Sequence, residues 1–282
     1  MEEYRKIRLI TEGRPAVDGA GVRLVRVFGY RETKLYDPFL LFDAFDSENP
    51  EDYVKGFPWH PHRGIETITY LIDGAFEHGD SLGNGGLITK GGCQWMTAGS
   101  GIIHQEMPKP SARLLGAQLW LNIPQRDKMC QPKYGDIRCE DVPIIEFVGG
   151  RLHIIAGNYL GTEGAFAGDY VKATYFDVEL DPDATWQYAS PKTDTLFIYV
   201  VSGGAETIEA KTVSARTAVL FTEGNHLYLK AKASGIRFLV LTAPALNEPI
   251  AWGGPIVMNT KEELDLAFRE LQENTFLKYQ PR

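Results

Sequence analysis

The amino-acid sequence predicts an all-β protein with two antiparallel β-barrels in tandem and a C-terminal helix. Short runs rich in β-branched and aromatic residues alternate with turns that contain glycine or proline. The chain also contains one β-unit twice, which indicates two barrels of the same kind. Strands that alternate with amphipathic helices, the signature of an α/β fold, are missing.

The strand-like runs are short, and turn signals separate them about every 8–12 residues, which is typical of barrels and sandwiches. Glycine (29 residues) and proline (16 residues) fall between these runs. The clearest runs cover residues 23–29, 39–45, 66–72, 116–123, 174–180, 196–201, 226–231 and 236–242.

The internal repeat consists of an apolar strand, a glycine turn and a polar return strand. The matching segments are 68–80 with 197–209, 86–107 with 212–231, and 113–121 with 235–243. The segment 125–145 is polar and contains no clear strand, so the boundary between the barrels is expected there. We therefore predict three parts: an N-terminal barrel over 1–130, a C-terminal barrel over 140–260, and a helix with a tail over 261–282.

One helix is predicted after Asn259, over residues 262–271. Thr260 and Glu263 have the spacing of a capping box, in which each side chain satisfies a backbone N–H group at the start of the helix. Apolar residues then recur at helical spacing. The helix is expected to pack on a barrel.

Composition narrows the range of functions. The net charge of −8 argues against direct binding to the DNA backbone, and Arg23 and Arg26 are better explained as a solvated strand edge than as a basic patch. The three cysteines form no CxxC pair, which favours a reducing compartment. No apolar run approaches the roughly 20 residues of a membrane helix. The N-terminus has no signal-peptide layout, so we expect a cytoplasmic protein, or a nuclear one in a eukaryote.

Two pairs of side chains predict a metal site in the first barrel. His60 and His62 are two residues apart, and so are His104 and Glu106. Residues two apart in a strand point to the same face, so neighbouring strands could bring all four side chains together. The alternative is a pair of core histidines and a surface His–Glu pair. Four common ligand side chains in two same-face pairs favour the metal site.

Three neutral nitrogens and one carboxylate suit Fe(II), and also Mn, Co, Ni, Cu or Zn. An octahedral ion held by these four ligands keeps two positions open for substrate, water or O₂. Aligning the two copies of the repeat puts Ala189 and Pro191 where His60 and His62 stand. Since these side chains cannot hold a metal, we predict one ion per chain.

Other side chains near the four predicted ligands have more than one interpretation. Glu66 is interpreted as a structural carboxylate or a partner of the ligands rather than as a ligand. His78 follows the turn of the first barrel, and a surface position is favoured over a role in proton transfer or substrate contact. The candidates for an apolar pocket wall are Phe57, Trp59 and Met107.

Several motifs in this chain resemble the pirin family of the cupin superfamily, in the order found there. The resemblance covers nearly the whole chain and is strongest over 36–122. Gly99 departs from the proline that many cupins have at this step. The matching segments are YDPFLLFDAF (36–45), HPHRGIETITYLIDG (60–74), CQWMTAGSGIIHQEM (93–107), QLWLN (118–122) and GPIVMNTKEEL (254–264).

The resemblance implies two cupin-type barrels and one metal, usually iron, bound by His60, His62, His104 and Glu106. Pirins include quercetinase-like dioxygenases, so the first hypothesis is an enzyme that uses O₂ on a small aromatic substrate, with Glu106 also acting as the base. The second hypothesis is a metal- or redox-dependent regulator that binds a transcription factor or a metabolic enzyme. A purely structural metal is the third. A channel that reaches the metal would favour the enzyme.

Overall fold

A computed structural model describes residues 2–279, and most of its regular elements are β-strands. In chain order the strands are β1 (Ile7–Glu12), β2 (Arg14–Asp18), β3 (Val22–Phe28), β4 (Phe39–Ser47), β5 (Phe57–His62), β6 (Ile65–Asp73), β7 (Ala75–Asp80), β8 (Gly85–Thr89), β9 (Cys93–Thr97), β10 (Ile102–Pro108), β11 (Leu114–Asn122), β12 (Lys133–Ile137), β13 (Ile144–Phe147), β14 (Gly150–Ala156), β15 (Asn158–Tyr159), β16 (Thr162–Glu163), β17 (Thr174–Leu180), β18 (Thr185–Ala189), β19 (Thr195–Thr207), β20 (Thr212–Ser214), β21 (Thr217–Phe221), β22 (His226–Ala243), β23 (Ala251–Gly253) and β24 (Ile256–Met258). The helices are α1 (Thr33–Tyr36) and α2 (Lys261–Gln272), and 3₁₀ turns cover Tyr30–Glu32, Pro50–Asp52, Gln125–Asp127 and Cys139–Asp141. The predicted all-β class with a C-terminal helix is confirmed.

The described chain divides into two compact units, and each unit is assembled from three separate segments of the sequence. The first unit comprises residues 14–34, 39–139 and 246–279. The second unit comprises residues 2–13, 35–38 and 140–245. The bounds predicted from the sequence follow the order of the chain instead, and they stay a prediction.

In the first unit, β23 and β24 form a two-stranded sheet, and the other strands form two antiparallel sheets. The larger sheet has the strand order β12-β9-β6-β11-β4-β3-β2, and the smaller sheet has the order β5-β10-β7-β8. One buried apolar cluster joins them, with Phe45 and Leu71 from the larger sheet and Phe76 and Ile88 from the smaller. Burying one such side chain contributes about 1.5–3 kcal/mol. The shared core therefore holds the two sheets of this unit together.

The second unit is built on one sheet with the order β1-β21-β19-β22-β17-β14-β13. Its interior is filled by a large apolar cluster in which Tyr159, Trp186 and Tyr188 have nearly parallel rings. The runs predicted at 226–231 and 236–242 form a single strand, β22. They remain one strand because β19 pairs with β22 on both sides of the irregularity near Gly203.

Helix α2 has the predicted capping box. Glu263 donates its backbone N–H to Thr260 Oγ1 at 3.2 Å, and Glu263 Oε2 accepts the backbone N–H of Thr260 at 3.0 Å. Ala267 is buried and belongs to an apolar cluster with Ile256 and Phe276, so the helix packs on the first unit. The described residues include no helix with enough length and apolar character to cross a membrane.

The segment 125–145 differs from the sequence-based expectation, because it contains strand β12. Residues Lys133 to Ile137 pair with Thr97 to Cys93 of β9. Only Ile137 in this strand is buried, because β12 lies at the edge of its sheet. Edge strands need little apolar surface, so this segment lacks the alternation of apolar and polar residues that would predict a strand.

Arg63 connects the end of the β5 region to the C-terminal segment of the same unit. Its Nε donates to the carbonyl of Ser100 at 2.7 Å, and its Nη2 donates to the carbonyl of Phe276 at 2.8 Å. Nη2 also donates to Glu270 Oε2 at 2.7 Å, and the guanidinium lies 4.2 Å from the centroid of the Phe276 ring. The side chain is 1% exposed, so its charge depends entirely on these partners.

Lys128 makes a second buried connection. Its Nζ donates to the carbonyls of Gly64 and Val257 at 2.7 and 3.0 Å, and to Asn122 Oδ1 at 2.5 Å. Three acceptors match the three protons of an ammonium group. Lys128 thus joins the turn after β5 to the end of β11 and to the C-terminal strand β24.

Replacing Arg63 by methionine should lower the free energy of unfolding by about 3–5 kcal/mol, because the change leaves buried acceptors without a donor. Urea unfolding followed by circular dichroism measures the effect. The control is Arg113→Met, which breaks the more exposed pair with Asp46 and should cost less than about 1 kcal/mol. Equal losses in the two variants would contradict the role of Arg63.

Candidate metal centre

The two predicted pairs lie on neighbouring strands of the smaller sheet. His60 and His62 are on β5, and His104 and Glu106 are on β10. Buried and half-buried residues alternate along β10, and both His104 and Glu106 are on the buried face. The strands are antiparallel, with His104 directly opposite His60. The alternation along β10 therefore places His104 and Glu106 on one buried face, beside the strand that carries His60 and His62.

The three imidazoles form a compact cluster. The ring centroids of His60 and His104 are 4.4 Å apart, those of His60 and His62 are 4.8 Å apart, and those of His62 and His104 are 5.0 Å apart. One nitrogen from each ring lies within 4.8 Å of the others, so one ion could contact all three.

Backbone carbonyls fix the orientation of two of the rings. His60 Nδ1 lies 2.8 Å from the carbonyl oxygen of Pro58, and His62 Nδ1 lies 3.0 Å from that of Pro255. A carbonyl oxygen can only accept, so each Nδ1 carries a proton. The Nε2 lone pair of each ring is then available to a metal, as is usual for ligating histidines.

His104 provides the test of fit for a metal. Its side chain is buried, and neither Nδ1 nor Nε2 has a hydrogen-bond partner within residues 2–279. Buried polar atoms in folded proteins almost always have a partner. A metal ion at the centre of the cluster would satisfy one of these nitrogens. The donor set therefore fits a divalent ion such as Fe(II).

The pKa values indicate that the imidazoles are neutral, which is the form that binds metals. Burial, reinforced by His60, lowers the pKa of His62 to about 3. Burial also lowers the pKa of His104 well below its ordinary value, and the neighbouring His62 and His60 lower it further. Since a charged ring would be costly in this interior, the folded chain presents neutral ligands at physiological pH.

Glu106 is not in the group of three imidazoles whose nitrogens lie within 4.8 Å of one another. The pairing between β5 and β10 shifts register between His104 and Glu106, so that Glu106 is opposite Phe57. Its Oε1 accepts a hydrogen bond from Thr69 Oγ1 at 2.6 Å. Burial raises the pKa of Glu106 to about 7, and the Thr69 hydrogen bond opposes this rise. The role of Glu106 as a fourth ligand stays a prediction.

Glu66 and His78 are both buried. Glu66 Oε1 accepts a hydrogen bond from Thr97 Oγ1 at 2.7 Å, in keeping with a structural carboxylate. The surface position favoured for His78 is wrong, because this residue is 4% exposed and its ring stacks on Tyr134 at 4.6 Å between centroids. Its Nε2 also hydrogen-bonds the Tyr134 hydroxyl. His78 shares strand parity with buried Phe76, which the sequence could have indicated.

A cavity of about 820 Å³ borders the cluster within the first unit. His60, His62 and Glu106 line it, and so does Phe57 from the predicted wall. Trp59 and Met107, also predicted there, are not among the lining residues, and Trp59 is 54% exposed. Most of the rest of the lining was not predicted from the sequence, and it includes Tyr30, Gln118, Trp120, Trp252 and Pro255.

Two of these missed residues left a signal in the sequence, and two did not. Gln118 and Trp120 are two apart on β11, so they share a face that the alternation could have identified. Trp252 and Pro255 belong to the C-terminal segment, and no local pattern connects them to strands near residue 60.

Sequence comparisons connect the chain to known proteins. A family model described as Pirin matches residues 21–121, and one described as Pirin C-terminal cupin domain matches residues 175–277. A Pseudomonas aeruginosa protein named "Putative quercetin 2,3-dioxygenase" is 41% identical over 281 residues, which covers 97% of this chain and 98% of the relative. Pirin from Homo sapiens is 37% identical, over 96% of this chain and 94% of its own length.

A solved structure has the same fold over almost its entire length. The crystal structure described as quercetin 2,3-dioxygenase from Acinetobacter baumannii matches with a TM-score of 0.89 and 32% sequence identity. The match covers 97% of this chain and 98% of that one.

Metal binding should depend on His104. We expect His104→Ala to weaken cobalt(II) binding by at least about tenfold while the far-ultraviolet circular dichroism stays unchanged. Titration followed by the visible absorption of cobalt(II) measures the affinity. His153→Ala, in the second unit, is the control and should bind like the unmodified chain. Unchanged cobalt(II) affinity in His104→Ala would contradict the site.

The stability of the metal-free protein should depend on pH through His62. The pKa of His62 is about 3 in the folded chain and about 6.5 in an unfolded chain. Between these values the unfolded chain binds a proton that the folded chain does not, so stability falls as the pH drops. Urea unfolding at several pH values between about 7 and 4 measures this dependence. The free energy of unfolding should fall less steeply with decreasing pH in His62→Asn than in the unmodified chain. An unchanged slope would argue against a neutral His62, and His226→Asn controls for the loss of a histidine.

Proposed function

Because the chain belongs to the pirin family of cupin proteins, we propose that it is a mononuclear metal dioxygenase that acts on flavonol-type substrates. The proposal rests on a cluster of three imidazoles that borders a cavity of about 820 Å³. Cavities of about 300–1,000 Å³ accept ligands of drug size, and a flavonol is a ligand of that size. The relatives named as quercetin 2,3-dioxygenases support the same substrate class.

The proposed centre holds one divalent ion per chain, preferably Fe(II), with His60, His62, His104 and Glu106 as its ligands. Mn, Co, Ni, Cu and Zn suit the same donors, so elemental analysis of protein from the native host decides among them. When bound, the ion would polarise the oxygen atoms of the substrate and supply redox chemistry toward O₂.

Glu106 is the proposed base. A carboxyl group with a pKa of about 7 can take a proton and release it at physiological pH. Thr69 holds Oε1 by its hydrogen bond, which fixes the orientation of the carboxylate. In the proposed step, Glu106 takes the proton from the enol hydroxyl of the flavonol, and the electron pair of the broken O–H bond stays on the substrate oxygen.

The cavity wall suits a flat aromatic substrate. Trp120 packs at 5.0 Å from His62 and at 5.6 Å from Trp252, measured between ring centroids. These rings offer apolar faces close to the metal-binding cluster. A substrate stacked there would exclude water from the reacting atoms.

The proposed overall reaction is balanced with O₂ as the only co-substrate. The flavonol is the reductant and O₂ is the oxidant. Both atoms of O₂ enter the ring-opened product, and one carbon atom of the substrate leaves with its oxygen as carbon monoxide. Glu106 gives back the proton that it took.

A regulatory protein that binds a transcription factor or a metabolic enzyme is the alternative, and the acidic net charge of −8 suits a protein partner better than DNA. The regulatory hypothesis predicts that the metal is sealed beneath a charged surface. A cavity that is lined by His60 and His62 favours the enzyme. A cytoplasmic location, or a nuclear one in a eukaryote, is part of the proposal.

Metal-loaded protein should consume O₂ and release carbon monoxide in equal amounts when quercetin is added. Glu106→Gln keeps the shape of the side chain and loses the base, so kcat should fall about 10²–10⁴-fold. An oxygen electrode and a haemoglobin assay for carbon monoxide provide the measurement. Glu77→Gln, on an exposed ion pair with Lys109, is the control. Absence of both oxygen uptake and carbon monoxide with the unmodified protein would remove the flavonol assignment.

A further inference from the structure

The cavity wall contains a second polar group besides the metal-binding cluster. Asp18, Arg26 and Asp43 all line the cavity. They lie on β2, β3 and β4, which are adjacent strands of the larger sheet, whereas the histidines are on the smaller sheet. A molecule that fills the cavity can therefore contact polar groups on both sheets of the first unit.

Arg26 is held in place by the two carboxylates. Its Nε donates to Asp43 Oδ1 at 2.9 Å, and its Nη2 donates to Asp43 Oδ2 at 2.8 Å and to Asp18 Oδ2 at 2.7 Å. The Asp43 side chain is 5% exposed and lies directly across the strand pair, so it anchors the guanidinium. In the described residues, no hydrogen bond uses Nη1 of Arg26.

Charge and exposure determine what this group can bind. The side chains of Arg26 and Asp18 are 37% and 50% exposed, so both can reach a ligand. Two carboxylates and one guanidinium carry a net charge of −1, which disfavours an anionic substituent. A phenolic hydroxyl suits the pair, because it can donate to the Asp18 carboxylate and accept from an Arg26 N–H.

Aromatic rings in the same wall would orient such a hydroxyl. Trp252 lies 5.7 Å from Tyr30 and 5.6 Å from Trp120 between ring centroids. A flat ring stacked on this wall would present its edge, and not its face, to neighbouring polar groups. Hydroxyls are carried on the edge of a phenol.

We propose that Asp18 and Arg26 recognise hydroxyl groups on an aromatic ring of the substrate and so determine its specificity. This inference rests on the proposed flavonol activity and deepens it, because the polyhydroxylated members of the class become the preferred ligands. Asp43 is the positioning residue that keeps Arg26 in place.

Binding of three flavonols without O₂ tests the proposal. Quercetin carries hydroxyls on both outer rings, galangin lacks those on the phenyl ring, and 3-hydroxyflavone lacks both sets. All three keep the enol and ketone oxygens. Quenching of tryptophan fluorescence in metal-loaded protein under nitrogen gives each affinity without turnover. We expect at least one set of hydroxyls to increase the affinity about tenfold, the effect of one hydrogen bond to a charged group.

Asp18→Asn should reduce that increase to less than about threefold and leave the affinity for 3-hydroxyflavone unchanged. Arg26→Lys keeps a positive charge beside Asp43 and should also reduce the increase. The control is Asp46→Asn, which lies on β4 outside the cavity lining and accepts from the Arg113 side chain.

The outcomes separate the two proposals. If the ring hydroxyls increase the affinity equally in Asp18→Asn and in the unmodified protein, this inference is overturned and the proposed flavonol activity is left intact. A loss of affinity for 3-hydroxyflavone as large as that for quercetin would also overturn it, because the change would then be general damage. If the unmodified protein binds none of the three flavonols, the proposed function fails, and this inference fails with it.

Discussion

The convergence of three neutral imidazoles beside the cavity of the first unit is the constraint on which the candidate site depends. Burial makes a charged ring costly, and it lowers the pKa values of His62 and His104. Carbonyl oxygens of Pro58 and Pro255 then fix which nitrogen carries the proton. His104 has no such partner for its nitrogens in the described chain, so it is the ring whose position a bound ion explains best.

The C-terminal segment belongs to this site because it supplies the carbonyl that orients His62. Pro255 follows His62 by 193 residues. Buried hydrogen bonds from Arg63 and Lys128 hold the same segment against the turn after β5. Both donor side chains are buried, so loss of one partner leaves polar groups unsatisfied away from water and is expensive. The geometry of His62 therefore depends on packing contributed by the end of the sequence.

The sequence predicted those features that depend on local alternation and missed those that depend on distant contacts. His60, His62 and His104 were identified because strand parity determines which face a side chain occupies. The register that places Glu106 opposite Phe57 could not be predicted, since a register shift between two strands leaves no mark in the residue pattern. Pro255 and Trp252 were missed for a similar reason: their partners lie far away along the chain. Arg26 is predicted as a solvated residue because its partner, buried Asp43, lies on another strand and 17 residues away along the chain.

The two proposed roles of Glu106, as a ligand and as the base, both place a carboxylate beside the three imidazoles. Three neutral imidazoles do not offset the charge of a divalent ion, so the Glu106 carboxylate and an anionic substrate oxygen would both be attracted to it. When Glu106 takes the enol proton, one negative charge moves from the carboxylate to the substrate. The total charge of the buried site is then the same before and after the step. A low-dielectric interior favours a transfer of this kind, because no net charge has to be created away from water.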